Sequence, residues 1–274
     1  MSVKTPHWTS ATAGELGQLA RAQRLGLISD LDGTLSRIVD VPDEAQISAR
    51  NQELLDDLAP HLALLAIVSG RGVEDLRKRV PFEGARLIGN HGMESWLNGQ
   101  RVIAPAAAVE QGKLSALVKA LGQDFEEGVW LEDKGLSAAL HYRGAQDPPA
   151  FRAREIQRLE LLTEAHDLRF SEGRMVFEFK VGADIDKGSA LRELVAETEL
   201  DGFLFLGDDI TDIAALHATK ELREAGSVPG YGIGVQSAEG DPQVPDAADF
   251  YAEGVAGIEA FLSWLLSERK ASST

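Results

Sequence analysis

The stretch Leu25-Gly26-Leu27-Ile28-Ser29-Asp30-Leu31-Asp32-Gly33-Thr34-Leu35 decides how the rest of the chain reads. Apolar and small residues run without polar alternation and end in two carboxylates and a glycine. A continuous run of strand length suits a strand buried on both faces, as in a parallel sheet covered by helices. Two more runs share this form, Leu62–Ser69 and Phe203–Leu206, each followed at once by small or acidic residues. Helical patterns over Ala49–Leu58, Val73–Val80 and Ser189–Thr198 separate them, and Glu15–Leu25 predicts a leading helix. The expected fold is α/β, built from right-handed βαβ units.

Outward from these runs the middle of the chain reads differently. A helix begins near Ala106, with Leu114, Leu117, Val118 and Leu121 at helical spacing, and another lies near Ala153–Leu162. Val129–Lys134, Leu136–Tyr142 and Met175–Val181 alternate with period two, the mark of strands with one buried face. The expected order is helix, two strands, helix, two strands. This makes a smaller α+β unit inserted at residues 105–181 into a core of residues 1–104 and 182–274.

The composition is that of a globular protein: 274 residues, 44% hydrophobic and 26% charged. With no cysteine, disulfides, thiolate metal sites and cysteine nucleophiles are ruled out. A formal net charge of −17 disfavours nucleic acid as a partner, which demands basic surfaces. The longest strongly apolar run, Leu62–Val68, is too short to span a bilayer, and the first residues carry no signal-peptide stretch. The expectation is a cytoplasmic monomer with no membrane partner and a disordered tail over Lys270–Thr274.

Four segments carry chemistry, and each also has a plainer reading. Asp30 and Asp32, two apart at a strand end, can divide nucleophilic and proton-transfer roles, or form an acidic turn. Ser69, in Val68-Ser69-Gly70-Arg71, can bind a phosphate oxygen or cap the following helix. Lys187, in Asp186-Lys187-Gly188-Ser189, stands at a helix start, against the dipole preference unless an anion is near. Asp208, Asp209 and Asp212, in Gly207-Asp208-Asp209-Ile210-Thr211-Asp212, suit a hard cation such as Mg²⁺, or an acidic first turn. One parallel sheet would bring all four segments together beyond the carboxyl ends of its strands.

These four segments resemble, in order, motifs one to four of the haloacid dehalogenase superfamily. The resemblance implies a Rossmann-like core, a parallel sheet flanked by helices, with a type C2 α+β cap between motifs two and three. It implies Asp30 as nucleophile, Asp32 as general acid/base, and Ser69 and Lys187 as phosphate-holding groups. Mg²⁺ would be held by Asp30, the main-chain carbonyl of Asp32, and Asp208, with Asp212 in support. Asp209 would reach the metal through water or cap a helix.

The strings Gly89-Asn90-His91-Gly92-Met93-Glu94, Glu132-Asp133-Lys134-Gly135-Leu136-Ser137 and His141-Tyr142-Arg143 are similar to those of trehalose-6-phosphate phosphatases. By periodicity Glu132 and Lys134 share a strand face, as do Ser137 and His141, while Glu178 and Lys180 oppose Met175, Phe177, Phe179 and Val181. Such a polar face suits a sugar or plain solvent. The resemblance implies that Glu132, Lys134 and Glu178 hold the distal glucose and that Arg71, Asn90 and His91 line the core side. Closure of cap and core over the substrate is expected, about hinges near Ala104–Ala106 and Val181–Ala183. The alternatives are another sugar phosphatase, acting on a sucrose, mannosylglycerate or glucosylglycerol phosphate, a phosphomutase, and a non-catalytic phosphosugar-binding module. His7, His61, His166, His217 and the four tryptophans read as packing or surface residues.

Overall fold

The computed structural model describes residues 5–39, 45–80, 84–173, 175–181, 185–237 and 241–272. The chain divides into two compact units, one of residues 1–102 with 185–274 and one of residues 103–184. It opens with α1 (Glu15–Ala20), β1 (Leu25–Ser29), α2 (Ala49–Leu58), β2 (Leu64–Val68), α3 (Val73–Arg79), β3 (Arg86–Gly89), β4 (Glu94–Leu97) and β5 (Gln100–Ile103). There follow α4 (Pro105–Leu121), β6 (Trp130–Asp133), β7 (Ser137–His141), α5 (Pro148–Ala165), β8 (Leu168–Gly173) and β9 (Val176–Val181). The chain closes with α6 (Lys187–Glu197), β10 (Gly202–Gly207), α7 (Ile213–Glu224), β11 (Gly230–Gln236), α8 (Gln243–Ala247), β12 (Phe250–Glu253) and α9 (Gly254–Ser272).

The first unit is built on a sheet in the order β12-β11-β10-β1-β2-β3-β4-β5. Neighbours from β12 to β3 pair in parallel, and β4 runs antiparallel to β3. Every residue of β1, β2 and β10 is buried. Leu27, Leu65, Ile67, Leu204 and Leu206 pack in one core cluster with residues of α1, α2, α3 and α9. Ile28, Ala66, Val68, Phe203 and Phe205 pack in another with residues of α6, α7 and α8. Alternate residues thus go to opposite faces, and both faces are covered. That is why these strands read as unbroken apolar runs.

Several elements differ from the expectation. α1 stops at Ala20, because Leu25 opens β1. β3, β11 and β12 were not legible as runs. β11 reads Gly-Tyr-Gly-Ile-Gly-Val-Gln because the sheet face is crowded there: a Cβ on Gly230 would stand 2.4 Å from the Phe203 ring, and one on Gly232 2.5 Å from Leu216. The tail expectation is corrected for Lys270–Ser272, which continue α9. Leu265 and Arg269 seat this last turn, the latter donating to the carbonyls of Ala20 and His61, and Lys270 reaches Asp57 at 3.0 Å. Ser273 and Thr274 lie outside the described residues, as do Gly182 and Ala183 of the second expected hinge.

The second unit carries an antiparallel sheet in the order β6-β7-β9-β8. β8 is the strand that periodicity did not locate; its burial fades toward Gly173. In β9, Phe177, Phe179 and Val181 are buried and alternate with half-buried Val176, Glu178 and Lys180. Tyr142 stacks between Phe177 and Phe151 of α5, with ring centroids 4.7 and 5.5 Å away. Leu114 and Leu117 of α4 are buried with them. The registers Glu132↔Ala139 and Ala139↔Glu178 place Glu132 and Glu178 on the same, opposite face. Among the described residues, no helix is long and apolar enough to cross a membrane.

Candidate active site

The first unit gathers its charged residues beyond the carboxyl end of β1. The Asp30 amide donates to the Leu206 carbonyl at 2.9 Å, which extends the β1–β10 ladder by one rung, and the residue is 3% exposed. Lys187 is the first residue of α6, whose N-cap Asp186 closes a capping box with Ser189. The lysine is 2% exposed, and its Nζ donates to Asp30 Oδ1 at 2.8 Å and to Asp212 Oδ1 at 2.7 Å. A buried ion pair, rather than solvent, accounts for a cation at a helix start.

Asp208 follows β10, and its Oδ1 accepts from the Thr34 hydroxyl at 3.0 Å. Gly33 makes that approach feasible: its φ is 81°, and a Cβ there would stand 1.9 Å from Asp208 Oδ2. Asp212 Oδ2 accepts from the amides of Asp208 and Asp209, at 3.1 and 3.0 Å. With its other oxygen on Lys187, Asp212 is fully engaged as a brace.

Oxygens of Asp30, Asp208 and Asp212 lie within 4.8 Å of one another, all buried. Burial pushes the Asp30 carboxyl well above the ordinary carboxylate range; Lys187 opposes the rise, while Asp212 and Asp208 add to it. Burial, then the Asp212 charge, pushes Asp208 up to about 7. Burial also works against the Lys187 ammonium, but Asp212 and Asp30 hold its pKa above the usual lysine value. Three carboxylates thus face one ammonium, an excess of negative charge that a divalent cation would balance. The donors are hard oxygens of the kind Mg²⁺ takes. Asp30 and Asp208 are side chains that could hold it.

Asp32 has a different setting. The Arg71 guanidinium grips both of its oxygens, Nε on Oδ2 and Nη2 on Oδ1 at 2.9 Å. Arg71 Nη1 also donates to Asp75 Oδ2 at 2.8 Å, and Asp75 accepts from Arg79 Nε at 2.9 Å. Burial opposes the charges here too, yet these bonds hold Arg71 above its ordinary pKa and Asp75 below its own. Asp75 carried no signal except its spacing, four residues after Arg71 and four before Arg79.

Ser69 is 2% exposed at the end of β2, and its hydroxyl accepts from the Arg71 amide at 3.2 Å. It does not cap α3, whose N-cap is Gly72. Asn90 and His91 follow β3 in the left-handed region, with φ of 49° and 58°. Their amides donate to the carbonyls of Arg71 and Ser69, at 2.8 and 2.9 Å. The loops after β2 and β3 are therefore laced together. Asp209 stands apart from the carboxylate group: it is exposed, takes the Thr211 hydroxyl at 3.0 Å, and N-caps the short helix Ile210–Asp212.

In the second unit, Glu132 accepts from His141 Nε2 at 3.0 Å and pairs with Lys134 at 3.3 Å. The His141 bond lowers the Glu132 pKa most, with burial opposing and Lys134 assisting. Glu178 pairs with Lys180 at 3.0 Å and accepts from Ser171 at 3.2 Å. Trp130 lies at the surface and is not a packing residue of the core. It is 53% exposed and stacks on His141 with centroids 4.0 Å apart.

The family model described as trehalose-phosphatase matches residues 28–256. A trehalose-phosphate phosphatase of Mycobacterium avium is 34% identical over 207 residues, which is 70% of this chain and 50% of that protein. The chain spans about half the length of the curated relatives it matches. A crystal structure of a trehalose-6-phosphate phosphatase related protein superposes with a TM-score of 0.69 at 25% identity, covering 88% of this chain and 97% of the other. The C-terminal domain of Candida albicans trehalose-6-phosphate phosphatase gives 0.73 at 24% identity over 96% and 99%, a likeness of fold. Asp30, Lys187 and Asp208 all fall within the matched span, and by that match the chain belongs to the trehalose-phosphatase family.

Proposed function

We propose that this chain is a Mg²⁺-dependent phosphatase that hydrolyses trehalose 6-phosphate to trehalose and phosphate through a phosphorylated Asp30. The observation that carries the reading is Asp30 itself. It is buried at a strand end with one oxygen on Lys187, which leaves the other to attack. An oriented, desolvated carboxylate beside an ammonium is a nucleophile already in place, at no cost in solvent reorganisation.

In the first step an Asp30 oxygen bonds to phosphorus as the bond to the sugar oxygen breaks. Asp32 gives that oxygen its proton. In the second, Asp32 takes a proton from water, whose oxygen attacks phosphorus and releases the Asp30 carboxylate and inorganic phosphate. The Ser69 hydroxyl and Lys187 hold phosphoryl oxygens. Mg²⁺, held by Asp30, Asp208 and the main-chain carbonyl of Asp32, would neutralise charge on the phosphoryl group. Glu132, Lys134 and Glu178 on the polar sheet face of the second unit would hold the distal glucose, and Arg71, Asn90 and His91 of the first unit would be the remaining substrate contacts.

The test is phosphate release with Mg²⁺ across trehalose, sucrose, mannosylglycerate and glucosylglycerol phosphates, with Asp30→Asn alongside. A preference for trehalose 6-phosphate, lost in the variant, supports the reading. Turnover by Asp30→Asn equal to the parent would sink the mechanism.

A further inference from the structure

We propose that Glu94 is a positioning residue for the phosphate-binding loop Ser69–Gly72, an inference that rests on the phosphatase reading above. Glu94 opens β4, is 2% exposed, and has no part in the chemistry described so far. A carboxylate that deeply buried needs partners, and which partners it takes shows what it holds.

Its Oε1 accepts from two donors that belong to different loops. One is the Val73 amide at 2.7 Å, the first backbone donor of α3 and the residue directly after the Ser69–Gly72 loop. The other is Asn90 Nδ2 at 2.8 Å. α3 has no side-chain cap of its own, so Glu94 serves as one from a distant strand. Its second oxygen accepts from Arg101 Nε on β5.

The segment being held is strained. Asn90 and His91 are both left-handed, at roughly 1–2 kcal/mol each for residues with a Cβ. Such a pair persists only where its surroundings over-determine it. The surroundings here are the Arg71 and Ser69 carbonyls and the Glu94 carboxylate. The junction leaves no slack: a Cβ on Gly89 would stand 2.5 Å from Val73 N and 3.0 Å from Glu94 Oε1. Likewise a Cβ on Gly70 would stand 2.7 Å from the His91 ring. Glu94 therefore sets where Ser69 and Arg71 sit, by tying the far end of their loop to the turn that packs against it.

The test compares wild type with Glu94→Ala, Glu94→Gln, Val73→Pro and Val73→Ala in the full chain. Binding of inorganic phosphate and of Mg²⁺ is followed by calorimetry, and kcat and KM with trehalose 6-phosphate. Val73→Pro removes the amide that Glu94 accepts, at a helix position where proline is tolerated, and also replaces a fully buried side chain; read against Val73→Ala, which keeps the amide, it decides the matter if Glu94→Ala does not fold. Glu94→Ala and Val73→Pro are expected to weaken phosphate binding about tenfold and to lower kcat by about 10²-fold, as misplacement of about 1 Å does. Mg²⁺ binding should stay within about twofold, because Asp30 and Asp208 lie outside the clamp. Glu94→Gln keeps an acceptor oxygen for the Val73 amide and Asn90 but turns an NH2 toward Arg101, and should recover part of the loss. Phosphate binding in Val73→Pro no weaker than in Val73→Ala, or equal losses of phosphate and Mg²⁺ binding, would overturn the inference. A wild type that neither binds phosphate nor turns over trehalose 6-phosphate would instead remove the phosphatase reading beneath it.

Discussion

Arg71 holds both carboxylate oxygens of Asp32, the residue proposed to move the proton, and is held in turn by Asp75. A forked pair fixes direction as well as distance, because the planar guanidinium admits one arrangement of the two oxygens. Besides its proposed place beside the sugar, Arg71 fixes the direction of the Asp32 carboxylate.

From this arrangement Asp32→Asn should lower kcat by roughly 10²–10⁴-fold, the usual span for a proton-transfer group. Arg71→Met should cost on the order of tenfold or more, and Arg71→Lys should restore little, since an ammonium cannot span both oxygens. Residues that act as a unit are non-additive. Steady-state kinetics of the double variant should match Asp32→Asn alone; independent, multiplying losses would show that Arg71 works elsewhere.

The charge balance of the buried cluster gives a second expectation. Asp208 titrates near 7 in the folded chain against 3.8 for an ordinary aspartate, so the folded metal-free state holds the extra proton between these values. Stability rises with pH only where the unfolded state binds more protons, and here the folded state binds more. The contribution is therefore complete below pH 3.8 and is lost as pH climbs through 7. Metal-free protein should lose melting temperature over that window, and Mg²⁺ should restore it most strongly above pH 7. Mg²⁺ binding at pH 6 should also release protons, that of Asp208 among them, measurable by calorimetry in buffers of different ionisation enthalpy. Affinity independent of pH from 6 to 8 would contradict the assignment of Asp208 as a ligand.

How much of this could be read in the chain follows from what each residue must do. β1, β2 and β10 were legible because burial on both faces forbids polar alternation. β11 was hidden because its glycines answer to Phe203 and Leu216, residues distant in sequence. Asp30, Lys187 and Asp208 were legible because their positions at strand and helix ends are unusual for buried charge. Asp75, Thr34 and Glu94 were not, because an acidic residue in a helix, a hydroxyl in a turn and a carboxylate on a strand are ordinary until their partners are known. The polar face of β9 was readable from period two alone, while the stacking of Trp130 on His141 depends on a cross-strand register that no local pattern encodes.

Gly33 tests how closely the site is built. With φ at 81° and Asp208 Oδ2 where a Cβ would go, Gly33→Ala should cost about 1–2 kcal/mol in backbone strain alone. The clash should also displace Asp208. Thermal unfolding should reveal the first effect, and a Mg²⁺ titration the second, as an affinity loss of about tenfold or more for a displaced charged ligand. A variant with parental melting temperature and Mg²⁺ affinity would mean that the chain there relaxes freely.

The second unit carries the expectation about sugar. Glu132 and Glu178 lie on one sheet face, two strands apart through Ala139, and each is oriented by a neighbouring cation, Lys134 or Lys180. Neither residue belongs to the carboxylate cluster that would perform the chemistry. Glu132→Gln and Glu178→Gln should therefore raise KM for trehalose 6-phosphate by about tenfold each, the loss of one charge-assisted hydrogen bond of about 1.5–3 kcal/mol. Turnover of a small aryl phosphate, which has no second sugar, should hold at the parental rate. A fall in aryl phosphate turnover equal to that for trehalose 6-phosphate would assign the two glutamates to folding or to the chemical step. Unchanged KM for both substrates would make the polar face an ordinary solvated one.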